Sequence, residues 1–248
     1  MKSSIFISLA AFAVKVSAHY NWPQLIVDGA NTSSWQYVRE TNNWQDFDPA
    51  SFSVTNVNTT DIRCYTSTES GTSSTYTSVD AGATVGFTVD GNPANIYHPG
   101  VLNVYMAQAP SGTEVASWDG SGEVWFKVYE ISAVTDGGTS ITFPATGLTQ
   151  VTFPIPAETP SGQYLIRIEH IALHVASTYG GAQFYIACAQ VEVRGTGTPG
   201  PLVEFPGEYT GYEPGILIDI YYPIPASYTQ ARNSLSTLFP MKRNSFLP

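Results

Sequence analysis

The chain has 248 residues, with 10 Lys+Arg against 20 Asp+Glu, a formal net charge of −10 and a pI near 4.6. Such an acid excess repels phosphate backbones and anionic membrane surfaces, because binding to either begins with clustered Lys and Arg. Only 12% of residues are charged while 5 Trp, 15 Tyr and 12 Phe are present, a balance that suits a neutral partner met by flat aromatic faces. The length fits a single large β domain with an ample core.

From the start of the chain, Lys2, the apolar run from Ile5 to Val14 and the small residues Val16-Ser17-Ala18 read as an export signal covering residues 1–18. The apolar run is too short for a membrane span, which needs roughly 20 residues. Cleavage after Ala18 removes Lys2 and Lys15 and makes His19 the first residue of a secreted, extracellular protein. Asn31-Thr32-Ser33 and Asn58-Thr59-Thr60 are glycosylation sequons, which if used lie on the surface.

Short apolar or alternating runs bounded by Gly, Pro, Asn and Ser follow at 84–89, 102–106, 124–131, 150–155, 164–168, 184–193 and 216–221. They predict an all-β fold, an immunoglobulin/fibronectin-like β-sandwich. Long loops at 28–58, 107–122 and 195–215 are where a rigid sandwich would carry its function. Residues 226–248, with Arg232, Lys242 and Arg243 and no clear period, read as a poorly ordered tail, with a docked segment as the alternative. In an oxidising compartment the two cysteines, Cys64 and Cys188, read most simply as one disulfide. A metal pair would want CxxC, and a catalytic thiol would leave an odd cysteine.

The histidines carry the chemistry. A free α-amine beside its own imidazole lets His19 chelate a metal through the amino nitrogen and Nδ1, and one more imidazole completes a three-nitrogen set. That set suits Cu(II) better than zinc or calcium. The amine, with a reference pKa of roughly 7.7–8.0, can lose its proton near neutrality to a competing metal. His98 stands in a Pro-Gly turn, Gln183 and Tyr185 share one strand face, and His170 with His174 lacks the glutamate order of HExxH.

His19, Tyr97-His98-Pro99-Gly100, the stretch Arg167 to Ala176, Gly181-Ala182-Gln183-Phe184-Tyr185-Ile186-Ala187-Cys188, the Pro199-Gly200-Pro201-Leu202 run and Gly211-Tyr212-Glu213-Pro214-Gly215-Ile216 together resemble the fungal lytic polysaccharide monooxygenases of auxiliary activity family 9. The resemblance spans 19–225, a single catalytic domain. It implies a copper "histidine brace" made by His19 and His98, with Tyr185 at a distant axial position. His174 and Gln183 are then the hydrogen-bonding pair around the metal, and His170 is no ligand. It further implies one copper per monomeric chain, a cellulose or other β-1,4-glucan surface as substrate, O2 or H2O2 as oxidant and an external reductant.

Tyr97, Tyr212 and, in the early loop, Trp44 are the candidate sugar-binding aromatics on a flat copper-centred surface. Tyr97 directly before the ligand and the short 60–84 connection look like the C1-oxidising subgroup. A non-catalytic carbohydrate-binding or wall-loosening protein would explain the aromatics but not the set of His19, His98, Gln183 and Tyr185. A hydrolase would need a paired set of acids, whereas Asp90, Glu114, Asp119, Glu123 and Glu169 are scattered.

Overall fold

In the computed structural model, which describes residues 19–42, 53–65, 75–198 and 202–231, the apolar runs pair into two facing sheets. The first, four-stranded, contains β1 (Tyr20–Val27), β2 (Ala30–Asn31), β4 (Thr84–Gly91) and β9 (Gln150–Pro154) in the order β2-β1-β4-β9. The second contains β3 (Thr77–Asp80), β5 (Gly100–Gln108), β6 (Trp125–Ile131), β10 (Gly162–Ala172) and β11 (Gln183–Arg194) in the order β3-β11-β10-β5-β6. All pairings are antiparallel except β3 with β11. A small hairpin joins β7 (Val134–Thr135) to β8 (Ile141–Thr142), and a short α-helix, α1 (Asp61–Cys64), lies outside the sheets. Among the described residues no helix is long and apolar enough to cross a membrane.

The inter-sheet core is built from alternate residues of both sheets: Trp22, Leu25, Phe87, Val104, Phe126, Phe153, Ile166, Ile168, Ala187 and Val191 are fully or almost fully buried. Strand side chains alternate between faces, so this accounts for half of β10 and β11. The other half is buried too, because loops and the late segment cover the outer face of the five-stranded sheet with Tyr105, Trp125, Leu165, Phe184, Ile186, Phe205, Tyr209 and Ile216. That second layer shelters polar groups that a one-sided sheet would leave to water. Arg167 donates to the carbonyls of Ile62 and Arg63, lies 2.6 Å from a Glu169 oxygen and stacks over Phe205. Glu169 accepts from Asn103 and from Tyr209. With no water to replace these bonds, every partner matters. Glu169 is thus committed to a structural network.

Two expectations are corrected here. Residues 216–221 form turns and bends, not a strand, because Ile216 and Leu217 donate their amides back to Glu213 and Asp219 caps the amides of Tyr221 and Tyr222. The tail does not begin at residue 226. Tyr228 donates to the Gly215 carbonyl, Gln230 donates to Leu102 and Asn103, and Ala231 is buried beneath the Lys127 ammonium. The five-stranded sheet thus docks 228–231 through Asn103 and Leu102 of β5 and Lys127 of β6, and residues 232–248 lie outside the described residues, as do the export signal and Trp44. Asn31 and Asn58 are exposed.

Cys64 at the end of α1 and Cys188 in β11 are disulfide-bonded across 124 positions. Replacing both by Ser is expected to lower unfolding stability by about 2–5 kcal/mol, as for long loops closed by native bridges. Equilibrium denaturation of the double variant checks this, and an unchanged midpoint would refute it.

Candidate functional site

Strand register brings four distant stretches of sequence to one end of the sandwich. Tyr20, the first residue of β1, pairs with Gly91, the last of β4, so His19 lies where β4 runs into the 92–99 turn. In the other sheet Gly100 pairs with Ala172, and Ala172 with Gln183. His98, two residues before Gly100, therefore meets His174, two residues after Ala172, with Gln183 and Tyr185 beside them on β11. The amide of Leu173 donates to Pro99 and extends that pairing by one bond.

Two glycines make the approach possible. A Cβ at Gly91 would come within 2.8 Å of the His19 carbonyl oxygen, and one at Gly100 within 2.1 Å of the Ile171 oxygen and 2.7 Å of His170 Nε2. Any larger residue would push the His19 and His98 backbones off the sheet ends.

The ring centroids of His19 and His98 are 6.0 Å apart at 66°, and Tyr185 lies 6.4 Å from His19 and 6.1 Å from His98. His98 and His174 stack face to face at 3.8 Å and 5°, which fixes the plane of the His98 ring. The Tyr185 hydroxyl donates to Gln183 Oε1 at 3.1 Å, so the two β11 residues act as a unit. Tyr185 is buried, whereas His19, His174 and Gln183 are half-buried and Tyr97 is 48% exposed beside His98. The imidazoles therefore sit between a closed aromatic floor and open solvent.

Burial lowers the pKa of all three imidazoles. That of His98 falls to about 4, through burial first and then repulsion by His174 and His19. His19 is lowered by burial, and His174 by burial and by His19. All three are neutral at neutral pH, the protonation state in which an imidazole binds a metal.

His98 Nε2 and His174 Nδ1 are buried nitrogens with no hydrogen-bond partner. His170 Nε2 is likewise unpartnered; an unmade bond of this kind typically costs about 1–3 kcal/mol, and at His98, beside His19, a metal would supply the missing partner. Among the described residues no three His, Cys, Asp or Glu side chains converge as a closed metal site requires. A brace needs only two imidazoles and an amine. Nitrogen donors with no carboxylate among them fit copper and exclude calcium or magnesium.

The structure adds residues that sequence reasoning did not single out. Tyr20 stacks on Tyr185 at 4.2 Å and shares a hydrogen bond with Nδ1 of His170, whose pKa burial pushes down to about 3. Trp22 donates its indole N–H to the Tyr185 carbonyl. Together they hold the Tyr185 ring from behind. Tyr20, next to His19 in sequence, could have been found by adjacency; the His170 pairing could not, since the two residues meet only across the sheets. Tyr212 is 66% exposed and stacks on Tyr179 at 4.7 Å, a neighbour the sequence offered only as one more residue between His174 and Gln183.

Fold and site define a β-sandwich with an imidazole-rich face at one end, the setting of a nitrogen-ligated metal enzyme. Residues 19–228 match the family model of Auxiliary Activity family 9 (formerly GH61), and the chain belongs to that family, whose members are copper-dependent lytic polysaccharide monooxygenases. It is 50% identical over 222 residues to AA9 family lytic polysaccharide monooxygenase H of Malbranchea cinnamomea, covering 89% of this chain and 93% of that protein. It is 48% identical over 233 residues to AA9 family lytic polysaccharide monooxygenase C of Emericella nidulans, covering 92% and 96%. The fold matches the crystal structure of a cellulose-active polysaccharide monooxygenase from M. thermophila with a TM-score of 0.70 at 24% identity, covering 88% of this chain and all of that one. HiLPMO9B gives a TM-score of 0.71 at 25% identity, covering 88% and 99%.

Proposed function

We propose that the chain is exported, cleaved after Ala18 and loaded with one copper, and that it then cuts β-1,4-glucan chains of cellulose by oxidation at C1. The α-amine and imidazole of His19 and the imidazole of His98 would hold the metal. Bound there, copper supplies the one-electron chemistry with O2 or H2O2, primed by an external reductant, that side chains lack. The observation that carries this reading is the buried, unpartnered Nε2 of His98 beside His19 at the one end of the sandwich where Gln183 and Tyr185 also converge.

Each residue of this chain has a separate task. His98 presents a neutral nitrogen whose orientation the parallel His174 ring maintains. Tyr185 fills the protein side of the site and keeps water from that direction. His174 and Gln183, both half-exposed, offer hydrogen bonds to whatever occupies the open side, as outer partners commonly steer a metal's chemistry. Tyr97 and Tyr212 present exposed rings to the sugar faces of a glucan chain. A merely carbohydrate-binding surface would use the tyrosines but would leave the orphaned His98 nitrogen without a purpose.

Regiochemistry follows from how the aromatics set the chain over the metal, since a shift of about an ångström can cost about 10²-fold in rate. Copper-loaded protein incubated with cellulose and ascorbate is expected to release mainly aldonic acids, detected by mass spectrometry. Products that were chiefly C4-oxidised gem-diols would overturn the C1 assignment alone. No oxidised product at all would overturn the proposed activity.

A further inference from the structure

The ten residues from Leu173 to Ala182 that connect β10 to β11 carry His174 at one end and deliver Gln183 at the other. Between them stands Tyr179, 51% exposed, on a turn closed by the bond from the Gly181 amide to the Thr178 carbonyl. Its ring stacks on that of Tyr212 with centroids 4.7 Å apart and planes 28° from parallel. The ring also lies over the backbone of the late loop. Gly211 has φ +83° there, and a Cβ on it would meet Tyr179 Cε2 at 2.9 Å.

The Tyr212 loop is itself braced. Glu213 accepts hydrogen bonds from the amides of Thr210 and Gly211 and from the Thr210 hydroxyl. The Ile218 amide donates to Ala176, tying this loop to the β10–β11 connection. Two tyrosines that are each more than half in water gain little from burial by remaining together. What the arrangement achieves is a fixed orientation of Tyr212, with one ring face covered by Tyr179 and the other left open.

We propose that Tyr179 is a positioning residue for the glucan: it backs Tyr212 and holds its free face ready for a pyranose ring. The inference rests on the reading that Tyr212 contacts the substrate. Because Tyr179 belongs to the same short connection as His174 and leads into Gln183, it also fixes the distance between the sugar platform and the groups around the metal. A platform on an independent loop would let the chain slide relative to the site. One tied to this connection limits that slide to the play of a single turn.

The test is adsorption of the copper-loaded mature protein to microcrystalline cellulose, together with the substrate dependence of product release, for Tyr179→Ala, Tyr179→Phe, Tyr212→Ala and the Tyr179→Ala/Tyr212→Ala double variant. Loss of an aromatic pair translates into about a 2- to 10-fold weaker partition for Tyr179→Ala, with Tyr179→Phe close to wild type. The half-saturating cellulose load should rise while the Cu(II) EPR signal stays unchanged.

If Tyr179 acts through Tyr212, the double variant should adsorb no more weakly than Tyr212→Ala alone. Additive losses would overturn the proposal, since Tyr179 would then touch sugar by itself. An unaffected Tyr179→Ala, or one with an altered copper signal, would overturn it as well. If the wild-type protein failed to adsorb to cellulose, the glucan reading itself would fall, an outcome distinct from all of these.

Discussion

A protein carrying one extra residue ahead of His19 is expected to bind Cu(II) roughly 10²–10⁴-fold more weakly than the protein cut after Ala18, because one arm of a chelate is lost. An acylated nitrogen is a poor donor, whereas a free α-amine, with a reference pKa of roughly 7.7–8.0, yields its proton to a metal near neutrality. The remaining donors, the imidazoles of His19 and His98, are neutral and hold their places through the sheet ends, so the loss falls on affinity and not on folding. His98→Ala removes a different donor and should weaken binding by a similar factor with little change in melting temperature. Calorimetric titration of the extended, processed and His98→Ala proteins, with a thermal melt of the last, checks both statements. A Gly-extended protein that bound Cu(II) as tightly as the processed one would sink the brace.

The strands that were legible in sequence are those with one clear apolar face or a continuous apolar run, such as 84–89 and 184–193, because the period of 2 survives in the side chains. β1 was not legible. Asn21, Pro23 and Gln24 interrupt its apolar pattern, and its register with β4 shifts between Asn21 and Gln24, yet it places His19. The run at 216–221 misled for the opposite reason: its isoleucines are apolar enough for a strand, but they bury against the outer face of the sheet from a chain of turns.

The residues proposed to face the metal came from the joint motifs. What positions them did not, because Tyr20 on His170, His174 on His98 and Tyr179 on Tyr212 are contacts between segments far apart in the chain or across a turn, with no local signature. The polar network of Arg167, Glu169 and Asn103 escaped in the same way. Nothing in a strand's own sequence says that loops will cover its second face.

Gln183→Leu is expected to lower the rate of oxidised-product release by about 10–100-fold while leaving Cu(II) affinity close to wild type, the usual scale for an outer partner of a metal site. Gln183 touches no proposed metal-binding nitrogen. Its Oε1 accepts from the Tyr185 hydroxyl, and its side chain is half-exposed. Leu keeps the bulk and removes the amide. His174→Ala acts differently: it removes the ring stacked on His98 at 3.8 Å, freeing the plane of an imidazole proposed to hold the metal, and so should change the Cu(II) EPR signal as well as the rate. The comparison separates the two roles. A Gln183→Leu protein with a normal rate would show that the amide is a spacer, and a His174→Ala protein with an unchanged copper signal would show that the stack does not orient His98.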